Sequence, residues 1–323
     1  MIKNNVELVE EYKSRLEANR LPVIYNLRHL RILLGIRKDE QDLFFGRKRN
    51  ELYHSFLIPK KNGKMRQIEA PSQRLLKYQQ WIKRKILDVI PCSESAKGFK
   101  KNTSILDNAM PHVGKKTVIN LDIKDFFPSV KYTQIFRVFH YYGYNRQVSH
   151  LLTKMCTNSK NVLPQGAPTS PGIANIVMLK LDKRMTCLAE ANRCDYTRYA
   201  DDITLSGDER IVKLVPLLKQ IINEESFTVN EEKVRVQYAS QRQEVTGLTV
   251  NKKVSVSKRT IKEIEYAIYY CSKYGVEEHM KRIKCDKAFY KEHLYGLAYY
   301  IHMIDKEKGL RYLEQLDHIL WPY

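Results

Sequence analysis

The order of apolar and polar residues predicts strands separated by helices, followed by a helical C-terminal unit. Alternation at 53–58 and 65–70 predicts a hairpin that turns at Asn62-Gly63, and helical spacing over about 73–90 predicts a helix after it. The segment 163–171 holds three prolines and a glycine, which predicts neither helix nor strand. The other predicted strands are 117–122, 196–199, 202–205, 226–229 and 234–238, and a further short hairpin is predicted from 245–250 and 254–256.

Helical spacing of apolar residues covers most of the remaining chain. A leucine stripe within 27–34 is predicted to pack in the core. Thr260 and Glu263 predict a capping box for a helix that Gly275 ends, and Pro216 predicts a kink in another helix. The other predicted helices are, approximately, 132–157 as a group, 173–191, 209–223, 260–275, 288–304 and 308–319.

Composition and charge narrow the class of protein. A length of 323 residues, 43% hydrophobic and 28% charged, is typical of a globular protein with two or three packed subdomains. The formal net charge of +20 favours nucleic acid as the partner, because such an excess of Lys and Arg repels itself unless a polyanion neutralises it. No apolar run reaches the roughly 20 residues that span a bilayer, and no signal-peptide core begins the chain, so we expect a cytoplasmic protein that binds no membrane. The six cysteines form no Cys-x-x-Cys pair, which predicts free thiols.

Three carboxylates fall at the ends of predicted strands. Asp201 and Asp202 follow Ala200 at the tip of the hairpin 196–205, and Asp122 ends the strand 117–122. Adjacent acidic residues are usually a solvated turn or a helix cap, and the third carboxylate is what favours a functional interpretation. Three carboxylates gathered in this way can hold two divalent ions about 3.5 to 4 Å apart, which clamp the attacking and leaving oxygens in phosphoryl transfer.

Three segments in order resemble the core motifs of reverse transcriptases, namely Asp122–Ser129, Leu163–Pro171 and Tyr199–Asp202. Two shorter segments resemble elements of the bacterial retron group. Asn108-Ala109-Met110-Pro111-His112 is similar to its Asn-Ala-x-x-His element, and Val245-Thr246-Gly247 is similar to its Val-Thr-Gly element. The resemblance therefore points to a bacterial retron reverse transcriptase and covers most of the chain.

The resemblance implies an α+β fold with the right-hand polymerase architecture of fingers, palm and thumb. A β-sheet palm would carry the carboxylates, and the thumb would be helical. The implied domains are an N-terminal segment and fingers over 1–115, a palm over 116–250 with a helical fingers insertion at about 132–162, and a thumb over 251–323.

The resemblance also implies roles for single residues. Asp122, Asp201 and Asp202 would be the catalytic residues and would bind two Mg²⁺ ions. Phe127 would be the bulky ring that excludes a ribose 2′-hydroxyl, and Lys233 would protonate or neutralise the leaving pyrophosphate. The residues implied to bind the nucleotide are Arg66, Asp125, Phe127, Gln165, Gly166 and Lys233, and those implied to bind RNA are Asn108, His112, Val245, Thr246 and Gly247.

The implied activity is that of an RNA-directed DNA polymerase that uses deoxynucleoside triphosphates. It would bind its own structured non-coding RNA, prime from a 2′-hydroxyl of that RNA, and leave branched RNA-linked single-stranded DNA (msDNA). The resemblance further implies anti-phage defence with a separate effector protein.

Two other functions compete with this one. A group II intron or diversity-generating reverse transcriptase would share the core motifs, although the former usually carries further domains. A nucleic-acid-binding scaffold of the same fold would need no catalysis, but it would have no reason to keep three mutually repelling carboxylates together. Taken alone, His112 is an ordinary loop histidine and Lys233 an exposed lysine in a hairpin.

Overall fold

The computed structural model describes residues 5–37, 51–59, 63, 65–285 and 288–322, and the predicted turn residue Asn62 lies outside them. The described strands are β1 (Tyr53–Pro59), β2 (Met65–Pro71), β3 (Thr117–Asp122), β4 (Asp195–Tyr199), β5 (Asp202–Gly207), β6 (Arg235–Tyr238), β7 (Glu244–Val245) and β8 (Leu248–Thr249). The first described helices are α1 (Asn5–Ala18), α2 (Leu27–Leu34), α3 (Gln73–Ile82), α4 (Ile105–Ala109), α5 (Phe126–Ser129), α6 (Tyr132–Tyr141) and α7 (Arg146–Cys156). The others are α8 (Ser170–Val177), α9 (Leu179–Ala191), α10 (Val215–Glu224), α11 (Lys258–Tyr274), α12 (Val276–Arg282), α13 (Tyr290–Ile304) and α14 (Lys306–Asp317).

A four-stranded antiparallel sheet in the order β4-β5-β3-β6 forms the centre of the molecule. Asp122 at the end of β3 pairs with Asp202 at the start of β5, so both lie at the same end of the sheet. Ala200 and Asp201 form the turn between β4 and β5. All but one residue of β3 is buried, which places this strand in the core with both faces covered.

Helices cover both faces of β4. On one face, Tyr196 and Arg198 extend towards α9 and its Asp182. On the other face, Thr197 contacts α4 and the 3₁₀ turn Met110–His112 that follows it. This division follows from the strand itself, because successive side chains of a strand point to opposite faces of the sheet.

Two hydrophobic cores account for most of the buried apolar side chains. The larger one extends from Leu16 in α1 to Val229 and includes the central sheet, so the N-terminal helices pack against the same core as the sheet. The second belongs to the C-terminal helices and extends from Ile264 to Ile319. A small cluster joins Ala109 and Val118 to the β7–β8 hairpin. Among the described helices, none combines the length and apolar character needed to cross a membrane.

The β1–β2 hairpin occurs where alternation predicts it. Its strands pair from Tyr53 opposite Pro71 to Pro59 opposite Met65, and much of its surface is exposed. The backbone of Glu69 in β2 donates to the carbonyl of Gln165 at 2.9 Å, which joins the hairpin to the proline-rich segment 163–171. That segment has no strand and becomes helical only at Ser170, as the prolines predict.

The predicted strand pair 226–229 and 234–238 is wrong. β6 pairs with β3, and Val229 forms only a single bridge with Ile123. The backbone explains the difference, because Lys124 donates to the carbonyl of Thr228 at 2.8 Å. The hydrogen-bonding groups of this segment are therefore already paired with the chain that follows β3.

The hairpin predicted from 245–250 and 254–256 has the wrong register. The observed turn is Thr246-Gly247, between β7 and β8, and Ser255 only bridges to Thr249. Both turn residues have positive φ angles, 46° and 84°, which the two-residue type I′ hairpin turn requires. Turn propensity does not predict this turn, because the β-branched Thr246 favours a strand.

Some helix boundaries also differ from the predictions. The helix predicted over 173–191 is divided into α8 and α9, and the one over 73–90 stops being α-helical after Ile82 and continues as a π-helical turn. The helix predicted over 209–223 is divided into a 3₁₀ helix, Glu209–Leu214, and α10. Pro216 lies in the first turn of α10 and not within a longer helix, because a residue there needs no backbone N–H partner. Ser257, not Thr260, caps α11, since its hydroxyl accepts from the backbone of Thr260 at 3.1 Å.

Candidate active site

The three carboxylates predicted to be catalytic lie together at one end of the central sheet. Asp122 and Asp202 are directly opposite each other across β3 and β5. The carbonyl of Asp201 accepts from the backbone of Ile123 at 3.1 Å, which ties the turn to the end of β3. Ala200 has a φ of 58°, a left-handed conformation that is uncommon for a residue with a side chain. The fold therefore brings the three residues together, and their catalytic role remains a prediction.

Asp122 is held by two donors from the segment after Val229. Its Oδ1 accepts from the Asn230 amide at 3.1 Å, and its Oδ2 accepts from the Lys233 ammonium at 2.7 Å. Over the part of the chain that the structure describes, no group of three or more Asp, Glu, His or Cys side chains is arranged to hold a metal ion. The donor set nevertheless fits Mg²⁺, which prefers carboxylate oxygens, and Asp122 would have to turn from Lys233 to such an ion.

The proximity of these charges changes their acidities. Desolvation, followed by the charges of Asp201 and Asp122, raises the pKa of Asp202 to about 7, although the side chain still reaches solvent. Desolvation also raises the pKa of Asp201. For Lys233, desolvation opposes the charged form, but its hydrogen bond to Asp122 and the charges of the carboxylates outweigh it and raise the pKa. A cation near the carboxylates is therefore favoured, as expected for a site that binds positive ions.

A cavity of about 830 Å³ opens beside Asp122 and Asp201. It lies within the size range of small-molecule sites. Arg66 and Lys233 supply positive charge, which suits the phosphates of a nucleotide. Its lining includes five of the six residues predicted to bind the nucleotide, Arg66, Asp125, Phe127, Gln165 and Lys233.

The adjacent phenylalanines after Asp122 have different environments. Phe126 is 4% exposed and packs against Phe227 with ring centroids 6.1 Å apart, which makes it part of the core. Phe127 is half-buried and lines the cavity, where its ring lies 5.9 Å from that of Phe99. Both rings border the cavity, but Phe127 is the more exposed of the two, so it is the better placed to contact a bound sugar.

Gly166 is the predicted nucleotide-binding residue that does not line this cavity. Its φ is 140°, and a Cβ placed there would lie 2.8 Å from the carbonyl oxygen of Glu69. Only glycine allows the proline-rich segment to approach β2 this closely. In the structure Gly166 therefore sets the position of Gln165, and direct contact with a nucleotide remains a prediction.

A second cavity, of about 270 Å³, also borders the carboxylates. Asp122 and Lys233 line both cavities. Of the other two carboxylates, Asp201 lines the larger cavity and Asp202 lines the smaller one. Thr246 and Gly247 form part of its wall. The turn of the β7–β8 hairpin thus lies next to the carboxylates, where a nucleophile could enter.

The structure corrects the predicted RNA contacts of Asn108, His112 and Val245, because all three side chains are fully buried. His112 lies between the hydroxyls of Thr197 in β4, at 2.7 Å, and Ser206 in β5, at 2.6 Å. Burial lowers the pKa of His112 to about 4, so the ring is neutral at pH 7.

Asn108 supports the turn that the sequence predicts to bind RNA. Its amide donates to the Thr246 hydroxyl at 3.4 Å. Asn108 and His112 therefore support the hairpins of the site from inside, and among the predicted RNA-binding residues only Thr246 and Gly247 reach the surface.

Three residues of the site carry no predicted role. Phe99 lines the nucleotide-sized cavity, Asn230 bonds Asp122, and Arg198 is fully buried under the turn that holds Asp201. Arg198 had a usable signal in the sequence, because a charged residue in the middle of a predicted strand is rarely buried without a partner. The other two lie in irregular segments, where no periodicity indicates direction.

Comparison with known proteins identifies the family of this chain. Residues 58–262 match the family described as reverse transcriptase (RNA-dependent DNA polymerase). The chain is 37% identical to the retron Ec86 reverse transcriptase of Escherichia coli over 84% of this chain and 82% of that protein. It is 34% identical to the retron Mx65 reverse transcriptase of Myxococcus xanthus over 82% of this chain and 64% of that protein. Among solved structures, telomerase from Candida albicans is similar at a TM-score of 0.46 and 12% identity, over 84% of this chain and 61% of that one.

The central sheet with its carboxylates and the separate helical C-terminal core define a polymerase of the right-hand α+β class. Within that class the chain belongs to the reverse transcriptases, and specifically to the bacterial retron reverse transcriptases. It is an RNA-directed DNA polymerase, as the sequence motifs predict.

Proposed function

We propose that this enzyme copies part of its own structured non-coding RNA into single-stranded DNA that remains joined to the RNA as msDNA. The observation that carries the proposal is the convergence of Asp122, Asp201 and five predicted nucleotide-binding side chains on one cavity, with Asp202 paired directly opposite Asp122. The retron relatives support the choice of RNA and product.

Asp122, Asp201 and Asp202 are proposed to hold two Mg²⁺ ions. Bound there, the ions would lower the pKa of the attacking hydroxyl and neutralise the triphosphate. Asp202, whose pKa is raised to about 7, then binds as the carboxylate, which the nearby cation favours. Asp122 would turn from Lys233 to the ions, with Asn230 as the remaining donor that holds it.

The larger cavity is proposed to bind a deoxynucleoside triphosphate. Arg66 from β2 and Lys233 supply two cations for the phosphates, and Lys233 remains protonated because its pKa is raised. Phe127 is proposed to lie against the sugar, where its ring leaves no room for a 2′-hydroxyl. Asp125 and Gln165 complete the polar lining.

The smaller cavity is proposed to receive the RNA nucleotide whose 2′-hydroxyl starts synthesis. It contacts Asp122 and Asp202 and is bounded by Thr246 and Gly247, so a 2′-hydroxyl presented there would face the carboxylates opposite the triphosphate. Backbone contacts by the helical C-terminal unit would add affinity without sequence information. On α11 the exposed residues Arg259, Lys262, Tyr266, Tyr269 and Lys273 recur at helical spacing, which gives that helix a basic and aromatic face.

We also propose the domain boundaries of the protein, its compartment and its role in the cell. The domains are fingers over 1–115, palm over 116–250 and thumb over 251–323, and the separate C-terminal core supports the last boundary. The six cysteines are free thiols, which supports a reducing compartment such as the cytoplasm. A role in anti-phage defence with a separate effector protein is supported by membership of the retron group.

The test is co-expression with the RNA transcribed from the DNA that flanks the gene, followed by recovery of nucleic acid. The expected product is DNA that shortens on treatment with a debranching nuclease and disappears in Asp201→Asn, with a loss of about 10³-fold. Asp208→Asn is the matched control, because that carboxylate is exposed, lies at the other end of β5 and bonds Lys116 at 3.3 Å.

Three outcomes separate the candidate functions. Linear DNA without a branch would favour another bacterial reverse transcriptase type. RNA binding with no DNA synthesis in the unaltered protein would favour the scaffold. Undiminished synthesis by Asp201→Asn would remove that residue from the catalytic set.

A further inference from the structure

A buried polar cluster lies directly beneath the turn that carries Asp201. Arg198 in β4 and Asp182 in α9 are both fully buried. Their side chains form a bidentate ion pair, in which Arg198 Nε donates to Asp182 Oδ1 at 2.8 Å and Nη2 donates to Oδ2 at 2.7 Å. Tyr196 donates its hydroxyl to the same carboxylate at 2.7 Å, so Asp182 is well satisfied.

Arg198 has a further bond that an ion pair alone does not require. Its Nη1 donates to the carbonyl of Ala200 at 2.9 Å. Ala200 is the residue with the left-handed φ of 58°, and its carbonyl belongs to the peptide that leads into Asp201. A strained turn persists when its surroundings hold it in place, and this bond is such a restraint.

The same nitrogen connects the turn to a wall of the nucleotide-sized cavity. Nη1 also donates to the Asn175 side chain at 3.1 Å, and Asn175 donates to the carbonyl of Gly98 at 3.0 Å. Gly98 lies so close to the turn that an added Cβ would be 2.5 Å from the backbone nitrogen of Ala200. Phe99, which lines the cavity beside Phe127, comes next in the chain.

We propose that Arg198 is a positioning residue that sets the geometry of the catalytic turn and of the Phe99 wall together. It touches neither nucleotide nor metal, and it acts through Ala200 and Asn175. Its effect should therefore fall on turnover more than on nucleotide affinity, because a displaced carboxylate disturbs the transition state while most cavity contacts remain. This inference rests on the polymerase activity.

The alternative is that the cluster only holds β4 against α9. A buried ion pair can often be replaced by apolar residues of similar size without loss of stability. The double variant Arg198→Met with Asp182→Leu tests the two roles separately, because it keeps the packing and removes the donor to Ala200. Tyr196→Phe is the matched control, since it removes one bond to Asp182 and leaves the turn untouched.

The measurements are melting temperature, kcat and KM for dTTP on poly(rA) annealed to oligo(dT), and the Mg²⁺ concentration for half-maximal rate. The double variant is expected to melt close to the unaltered enzyme, to lose about 100-fold in kcat, to keep KM within about twofold, and to need more Mg²⁺. Tyr196→Phe is expected to melt lower with kcat unchanged.

Asn175→Ser decides the question if the double variant does not fold, because it buries no unpaired charge. Its expected effect is a fall of about fivefold in kcat at unchanged KM. The proposal is overturned if folded variants retain the original kcat, or if kcat falls in Tyr196→Phe as much as in the others. An inactive unaltered enzyme would instead count against the polymerase activity, so the two failures are distinguishable.

Discussion

Two polar clusters support the β4–β5 hairpin from opposite faces, and they do so with different chemistry. On one face Arg198 and Asp182 form a charged, fully buried pair. On the other face neutral His112 joins the hydroxyls of Thr197 and Ser206. Both clusters are inaccessible to solvent, although only one of them contains residues that the sequence singles out for function.

The difference shows what each side of the sheet serves. The Arg198 side leads through Asn175 and Gly98 to the nucleotide-sized cavity. The His112 side leads to Asn108 and the turn at Thr246, next to the smaller cavity. A charged pair can keep its donors fixed over a wide pH range, whereas a histidine cluster depends on the ring remaining neutral.

The largest effect is expected from breaking the His112 side. Replacing His112 with Ala leaves a void, removes the partner of the Ser206 hydroxyl and removes one of two partners of the Thr197 hydroxyl, so the free energy of unfolding should fall by about 3 kcal/mol. Synthesis on the retron RNA and on a generic annealed primer should fall together, because the ring supports the hairpin and does not contact RNA. Urea denaturation and the two synthesis assays on one preparation measure this. Loss on the retron RNA alone would contradict the structure.

Lowering the pH should reduce the free energy of unfolding through the His112 cluster. The folded-state pKa of His112 is about 4 and the unfolded value is near 6.5, so the unfolded chain takes up the proton first and stability falls as pH drops from about 6.5 to 4. The expected loss approaches about 3 kcal/mol. His112→Gln should flatten this part of the pH profile of unfolding.

The contribution of Asp202 to the free energy of unfolding should change with pH in the opposite direction. Its raised pKa means that the folded protein binds the proton more tightly, so its contribution to stability improves as pH falls from about 7 towards 4. Measuring the same profile in Asp202→Asn separates the two groups. If His112→Gln leaves the acid limb unchanged, the neutral-ring assignment is wrong.

A smaller effect is expected from a change in the wall of the larger cavity, to which the Arg198 cluster leads. Shortening Phe127 to Val opens the wall of the cavity where the sugar is proposed to lie, so ribonucleotide incorporation relative to deoxynucleotide should rise by about tenfold. Paired kcat/KM values for UTP and dTTP measure it. Phe126→Leu is the comparison variant, because that ring also borders the cavity but packs in the core and should change stability more than sugar preference. A change of sugar preference in Phe126→Leu and not in Phe127→Val would make Phe126 the residue that excludes the 2′-hydroxyl.

The smallest effect is expected at the tip of the β7–β8 hairpin. Thr246→Gly relieves a positive φ angle, which should offset the lost contact with Asn108 and leave stability within about 1 kcal/mol. If the side chain contacts the priming RNA, synthesis on the retron RNA should fall a few-fold while generic primer extension is retained. Equal rates in both assays would limit the role of this residue to shaping the turn.

Much of the active site was predictable because it depends on local order. Asp122, Asp201 and Asp202 each end or interrupt a strand with strong β propensity, and antiparallel pairing then brings strand ends together. Phe127, Gln165 and Arg66 followed from their positions in recognisable segments. The true partners of 226–229 and 234–238 were not predictable from the sequence. Both segments bond to β3 or to the residues just after it, about a hundred residues earlier in the chain.

By itself the amino-acid sequence determined the class of this protein, its basic character and the position of three carboxylates at strand ends, since these depend on residue types, spacing and charge. Only the tertiary structure decided that His112 and Asn108 are buried, that Arg198 bonds the Asp201 turn, and that Thr246 lines a cavity with Asp122 and Asp202. The physical reason is that burial and hydrogen-bond partners are set by elements distant in sequence, and a short motif carries no information about which face of a strand another helix covers.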